Sequence, residues 1–359
     1  MKNHILVIFG GMSREHEISL LSAANVIKHL SEEKYNVIMV GITKSGQWMR
    51  YRGSVEDIKS GAWSDHPLNL TANISQDRSI KGLIVLDEEK VSIEPVDVVI
   101  PVLHGKNGED GKLQGLLEIS GIPFVGCGTA SSANCMDKVI TDIILRNVGI
   151  KKANLVWFYF KEYEKNPEEI IKKIELNLKK YPLFVKPSNS GSSVGISHVK
   201  NREELKEAIF LAAEEDHKIL VEESIDGKEL ECAVLGNKDL IASVVGEIEP
   251  LNGFYDYNAK YLDNTSALHI PARIDDNISD KIREIALKAY KTMGCTGLAR
   301  IDFFLRSKDN EIILNEINSL PGFTDISMYP KLMDKMKIPL NKLLDKLISL
   351  ALERDENDG

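Results

Sequence analysis

Two short apolar runs near the C-terminus constrain the fold more than any other stretch. Leu298–Phe304 reads Leu-Ala-Arg-Ile-Asp-Phe-Phe, and Glu311–Gly322 reads Glu-Ile-Ile-Leu-Asn-Glu-Ile-Asn-Ser-Leu-Pro-Gly. Ser307-Lys308-Asp309-Asn310 between them is a turn signal, so the pair predicts an antiparallel hairpin. Successive strand side chains face opposite ways, which sends Glu316 and Asn318 to one side and Ile317 to the other. Pairing of the strands brings Asp302 to that same side. Two carboxylates and an amide oxygen form a hard-oxygen set suited to Mg²⁺. A lone Asp on an edge strand would be a solvated side chain; three oxygen donors between apolar runs, closed by Pro321-Gly322, point to a metal.

A chain of 359 residues exceeds one small core and suits two or three domains. The net charge of −9 argues against a nucleic-acid partner, which would favour a basic stripe. No stretch approaches the roughly 18 apolar residues of a membrane span. The N-terminus runs straight into a strand without an apolar signal segment. Cys127, Cys135, Cys232 and Cys295 show neither CxxC spacing nor framework density, so reduced thiols and a cytoplasmic location are expected.

Strand and helix patterns alternate from the start. Ile5–Phe9 is a buried-type strand, Gly10-Gly11-Met12-Ser13 a tight turn, and Glu17–Ile27 has helical spacing. Glu15 stands at the entrance of that helix, where it either complements the helix dipole or offers a carboxylate to a ligand ammonium. Val37–Ile42 and Val96–Leu103 are further strands, and residues 47–92 read as polar and irregular apart from short strands at Gly82–Leu86 and Val91–Ile93. The loop His104–Gly111 is dense in glycine and charge directly after a strand, a suitable place for substrate. Residues 1–130 are therefore expected to form a doubly wound α/β domain, followed by a central unit at 131–217 and a C-terminal α+β unit at 218–359.

The central unit carries phosphate-binding chemistry. Tyr181–Pro187 reads as a strand with Lys186 at its end, followed by Ser188-Asn189-Ser190-Gly191-Ser192-Ser193-Val194-Gly195, a small-residue loop whose N–H groups and hydroxyls could wrap phosphates. It is not a P-loop, because GxxxxGK[ST] is absent. Lys138 opens a helix and adds a second cation, while Glu222 and Glu229 lie where an adenine amino group and ribose hydroxyls could bind. Residues 247–272 are the longest segment without a period, and this stretch, with Gly253–Tyr261 aromatic and polar at once, reads as a functional lid or as disordered chain. From Asp325 a loop is expected before a final helix, Asn341–Arg354.

These pieces resemble a known family. In chain order the blocks are Gly10–Leu20, Leu103–Gly111, Met136-Asp137-Lys138, Gly191–Gly195, Asp256–Tyr261 and Asn315–Thr324, and together they resemble the D-alanine–D-alanine ligases of the ATP-grasp superfamily over residues 1–350. The resemblance implies an ATP-grasp architecture and an acyl-phosphate ligase using ATP, D-alanine and two magnesium ions, with Mn²⁺ as a substitute. It implies that Glu15 binds the first ammonium with His104 and Ser192 nearby. Arg300 and the Gly322 N–H would face the oxyanion, Ser327 and Met328 the second carboxylate. Tyr261 would join Glu15 and Ser192 in the catalytic set, with Lys260 beside it in the lid. The implied nucleotide contacts are Lys138, Lys186, Ser192, Ser193, Glu222, Glu223, Ile225, Glu229 and Lys260, and the metal ligands Asp302, Glu316 and Asn318. A homodimer is implied as well. The chain departs from the family's usual pattern at Ser319, where Thr is usual, and at Lys151-Lys152-Ala153, where a proline turn is frequent; neither departure is expected to touch a catalytic atom.

Two other readings stand beside this one. The N-terminal two-fifths is similar to the G-type branch of vancomycin-resistance ligases, which implies D-serine as the second substrate; Met328 favours D-alanine, and Lys260-Tyr261 opposes an ester-forming ligase. A catalytically silent nucleotide-binding protein would lack a magnesium ligand or Arg300, and this chain keeps them all.

Overall fold

The computed structural model describes residues 2–88, 90–191, 194–249 and 267–358. Three sheets organise them. The first contains β1 (Asn3–Gly10), β2 (Tyr35–Ile42), β3 (Trp48–Tyr51), β4 (Leu70–Ile74), β5 (Gly82–Leu86), β6 (Val91–Pro95) and β7 (Val98–Val102), in the order β6-β5-β4-β3-β2-β1-β7. β1 pairs in parallel with β2 and β7, while β3 to β6 extend the sheet as an antiparallel meander. Ile5, Val7 and Phe9 pack with Leu20, Ala23 and Val26 of the helix His16–His29, whereas Leu6 and Ile8 pack with Leu113 and Leu117 of the helix Lys112–Ser120. Helices on both faces make this part doubly wound.

The strands expected at Gly82–Leu86 and Val91–Ile93 are present as β5 and β6, but β3 and β4 lie where the sequence reading expected irregular chain, and this corrects it. β3 and β4 run four and five residues, too short to display a period, and are held by their sheet neighbours. An aromatic cluster anchors them: Trp63 lies 5.0 Å from Phe9 and 6.3 Å from Tyr51, edge to face in each case. Gly41 is required beneath it, because a Cβ there would come within 2.1 Å of the indole ring.

The second sheet has the order β10-β9-β11-β8, from β8 (Leu155–Tyr159), β9 (Leu183–Pro187), β10 (Ser197–Val199) and β11 (Lys218–Glu223), with antiparallel pairing throughout. Leu183, Val185, Ile219 and Val221 pack against the helices Pro167–Leu178 and Arg202–Ala213. Alternation turns Phe184, Lys186 and Glu222 to the opposite face. By hydrogen bonding, β11 groups with this central sheet although it begins just beyond residue 217.

The third sheet has the order β14-β13-β12-β15-β16, from β12 (Gly227–Leu235), β13 (Ile241–Glu249), β14 (Ala267–His269), β15 (Leu298–Arg306) and β16 (Ile312–Asn318). Leu230, Cys232, Ala299, Ile301, Phe303, Leu314 and Ile317 pack with Ile282, Ala286 and Ala289 of the helix Asp276–Thr292. The loop expected from Asp325 contains a helix, Met328–Lys335, whose Pro330 sits in the first turn where no N–H is needed. The final helix, Leu340–Asp358, is longer than expected at both ends. Leu343, Leu344 and Leu347 of that helix join Met328, Tyr329 and the β1 face in one core, fastening the first and third sheets together.

Candidate active site

β15 and β16 pair antiparallel, with Arg300 opposite Asn318 and Asp302 opposite Glu316. The register then shifts so that Phe303 meets Leu314, leaving Asn315 as an extra residue in β16. This bulge sets the site. Without it Leu314 and Glu316 would share a face; with it Leu314 enters the core while Glu316 turns the other way. β12 completes the polar face, since Glu229 lies opposite Phe304 and Glu231 opposite Asp302.

That face looks into a cavity of about 930 Å³ bounded by all three sheets. It is lined by Glu15 and His104 from the first sheet's loops, by Lys138, Lys186, Glu222, Glu223 and Ile225 from the central part, and by Glu229, Arg300, Glu316, Asn318, Gly322, Ser327 and Met328 from the third. Asp302 is buried behind them, accepting from Arg300 Nε and Nη2 at 2.8 and 2.7 Å and from Asn318 Nδ2 at 2.9 Å. Ser192, Ser193, Lys260, Tyr261 and the expected lid at 253–261 lie outside the described residues.

Local structure holds each lining residue. Gly10 has φ +86°, and a Cβ there would meet the Ile42 carbonyl at 2.3 Å, so only glycine allows the turn that carries Glu15 to the cavity. Glu15 occupies the N-cap position without a side-chain capping bond and lines the cavity. At the helix Lys138–Asn147, Asp137 does cap, accepting from the Val139 and Ile140 N–H groups at 3.1 Å. Lys138 Nζ donates to the Ser190 carbonyl at 2.6 Å, tying the helix start to the small-residue loop. Lys186 pairs with Glu222 and lies 5.6 Å from the centroid of the Phe184 ring. In the loop after Gly322, the Ser327 hydroxyl oxygen accepts from the Thr324 N–H at 3.0 Å. Met328 lines the cavity but is buried, and its sulfur packs where a Cβ on Gly246 would sit.

Three residues that sequence reasoning did not assign shape the electrostatics. Glu109 accepts from the Gly105 N–H at 2.7 Å, and burial together with the charge of Glu15 raises its carboxyl well above the usual range. Glu231 forms an ion pair with Arg300 at 2.9 Å. Lys152 donates from Nζ to the Asn315 carbonyl; burial lowers its ammonium to about 8, against the pull of Glu222 and Asp142. Glu109 was hidden inside a loop already read as functional, Glu231 on an ordinary strand, and Lys152 in a departure from the family pattern expected to bear on local geometry and on no catalytic atom. His104 is buried too, which lowers its imidazole to about 4 and keeps it neutral near pH 7.

Among the described residues no three His, Cys, Asp or Glu side chains gather to hold a metal. The set Asp302, Glu316 and Asn318 has two carboxylates and an amide, hard oxygen donors on paired strands β15 and β16, and its chemistry fits magnesium. All four cysteines are free and buried, and no helix among the described residues is long and apolar enough to cross a membrane.

The three sheets and the cavity they bound define an ATP-grasp enzyme. Residues 4–127 match the family described as D-ala D-ala ligase N-terminus and residues 144–349 the one described as D-ala D-ala ligase C-terminus. A D-alanine–D-alanine ligase of Caldicellulosiruptor bescii is 48% identical over 99% of this chain and 96% of its own length. Among solved structures, the VanG D-Ala:D-Ser ligase from Enterococcus faecalis superposes with a TM-score of 0.88 at 45% identity, covering 98% of this chain and 100% of that one. The D-alanine–D-alanine ligase from Coxiella burnetii gives 0.87 at 34% identity, covering 99% and 96%. The chain belongs to the D-alanine–D-alanine ligase family.

Proposed function

We propose that this chain joins two D-alanine molecules into D-alanyl-D-alanine, a peptidoglycan precursor, at the expense of ATP and through an acyl phosphate. Its family makes it an ATP-dependent ligase. The observation that carries the reading is one cavity lined jointly by Lys138 and Lys186, by Glu15 and neutral His104, and by Arg300 of β15.

The residues divide the work accordingly. Lys138 and Lys186 bind phosphate oxygens, with Glu222, Glu223, Ile225 and Glu229 around the nucleoside. Asp302, Glu316 and Asn318 hold magnesium or manganese, as one or two ions, which when bound offsets phosphate charge. Glu15 accepts the ammonium of the first D-alanine, whose carboxylate takes the phosphoryl group. The amine of the second D-alanine then attacks that acyl carbon, and phosphate leaves. Arg300 and the Gly322 N–H stabilise the oxygen on which charge accumulates, an effect that grows in a site closed to water. Ser327 and Met328 receive the second carboxylate, and Ser192, Ser193, Lys260 and Tyr261 complete the set. The three-part division near residues 130 and 217, a homodimer and a cytoplasmic location belong to the same reading.

Likeness to a D-Ala:D-Ser ligase supports a second reading, with D-serine as the second substrate. Met328 opposes it, because a buried thioether gives a substrate hydroxyl no hydrogen bond. Purified protein with ATP, Mg²⁺ and equal D-alanine and D-serine decides between them. Mostly D-alanyl-D-alanine by mass supports the proposal, mostly D-alanyl-D-serine replaces it with the second reading, and no dipeptide overturns both.

A further inference from the structure

Lys152 stands in the connection between the helix Lys138–Asn147 and β8, yet it does not behave as loop. It makes an isolated parallel bridge with Leu314, beside the 2.9 Å bond from the Leu314 N–H to the Lys151 carbonyl. Its side chain then reaches one residue further, where Nζ donates to the carbonyl of Asn315. Asn315 is the extra residue of the β16 bulge, the place where the strand changes which face its side chains take. The connection is itself fixed from behind: Arg146 donates to the Lys152 carbonyl at 3.2 Å and to the Ala153 carbonyl at 2.5 Å, and is held by Asp142 at 2.8 and 2.9 Å. Lys138, Lys186, Glu222, Asn315 and Glu316 line one small recess with Lys152.

A bulge carbonyl lies outside the regular ladder, so its position depends on whatever donor meets it. Backbone bridging holds Leu314, and the Lys152 ammonium meets the carbonyl of the bulged residue Asn315. We infer that Lys152 is a positioning residue for the metal end of the site: by clamping the Asn315 carbonyl it fixes the bulge and thereby keeps Glu316 aimed into the cavity. The inference rests on the proposed reading of Glu316 as a metal ligand. A partner of this kind, one step removed from the metal, typically changes affinity or activity by about 10- to 100-fold.

Charge and clamp make opposite predictions. Loss of a cation near Glu316 would by Coulomb attraction alone strengthen binding of a divalent cation. Loss of the clamp would weaken it. The test is Mn²⁺ binding in the presence of a non-hydrolysable ATP analogue, followed by electron paramagnetic resonance, for wild type, Lys152→Met, Lys152→Gln and Lys152→Arg, with melting temperatures alongside. Lys152→Met should bind Mn²⁺ about tenfold more weakly at an unchanged melting temperature, and Lys152→Arg, which keeps a charged donor, should recover most of the loss. Lys152→Gln keeps a donor on a shorter stem and carries the test if the methionine variant does not fold; weaker Mn²⁺ binding is expected there too. Unchanged or tighter Mn²⁺ binding in folded Lys152→Met or Lys152→Gln overturns the clamp. Should Glu316→Gln leave Mn²⁺ binding untouched, the metal assignment falls instead, and the two failures are told apart.

Discussion

Arg300 holds Asp302 through both carboxylate oxygens, at 2.8 and 2.7 Å, from two residues away on the same strand. Adjacent faces of a strand would not allow this; residues two apart share a face, and the planar guanidinium spans the gap. Glu231 on the neighbouring strand approaches the same Nε at 2.9 Å. One cation is thus oriented by two carboxylates, at a position where the proposed reaction builds negative charge.

The first prediction follows from that fork. Arg300→Lys preserves charge but replaces a planar, two-pronged donor with a flexible point charge. Turnover should fall by about 10²- to 10³-fold, the range for losing one oxyanion donor, while the melting temperature stays close to wild type. Steady-state kinetics with circular dichroism checks it; kinetics within a few-fold of wild type would remove Arg300 from the reacting centre.

Glu316 supplies the second. Glu316→Gln keeps size and hydrogen bonding but deletes a charge opposite Asp302. The rate at ordinary Mg²⁺ should drop steeply in a folded protein, with partial recovery at high Mg²⁺. Activity measured across a Mg²⁺ titration checks both parts, and near-normal turnover at low Mg²⁺ rules out Glu316 as a ligand.

How far the sequence reached is visible in this same hairpin. Period-two alternation correctly put Glu316 and Asn318 opposite Ile317, because that rule needs only the local chain. The bulge at Asn315 was invisible: one extra residue leaves no compositional mark, and its purpose, burying Leu314 while exposing Glu316, exists only once the helix Asp276–Thr292 is in place. For the same reason Lys152 read only as a departure bearing on local geometry, with no partner named for it. The short strands at Gly82–Leu86 and Val91–Pro95 were legible, but Trp48–Tyr51 and Leu70–Ile74 were missed because their order comes from sheet neighbours and Trp63 rather than from pattern. The helix Met328–Lys335 was masked by Pro330, a residue harmless in a first turn and disruptive elsewhere.

Glu109 gives the third prediction. Its folded carboxyl titrates well above the ordinary range, through burial and then the charge of Glu15. A raised carboxyl contributes stability below its unfolded value, and that contribution is lost as pH rises through the folded one. Glu109→Gln imitates the protonated form and can still accept from the Gly105 N–H. The variant should match or exceed wild-type stability at pH 7 and lose that advantage near pH 4. Urea midpoints at the two pH values measure it; a variant clearly weaker at pH 7 and not at pH 4 reverses the sign and defeats the assignment.

The last prediction concerns His104. It is 5% exposed, with Nε2 3.3 Å from the Ser22 hydroxyl, and burial lowers its imidazole to about 4 while a backbone contact with Leu320 works the other way. In the unfolded chain an imidazole takes its proton near pH 6.5. Between those values the unfolded chain binds a proton that the folded protein refuses, so stability falls as pH drops from about 6.5 to about 4 and does not fall further below that on this account. Near pH 5 the loss from this one group is about 2 kcal/mol, at about 1.4 kcal/mol per pH unit. Other carboxylates also titrate in this window, so the readout is a difference: the change in urea midpoint from pH 7 to pH 5, wild type against His104→Gln. Gln stays neutral at both pH values, and its side-chain amide can still face Ser22. The variant should therefore lose less stability on acidification than wild type, even if it starts lower at pH 7. Equal slopes in the two proteins would mean that the folded protein protonates His104 as readily as water does, and that a neutral imidazole beside the first substrate's position is wrong.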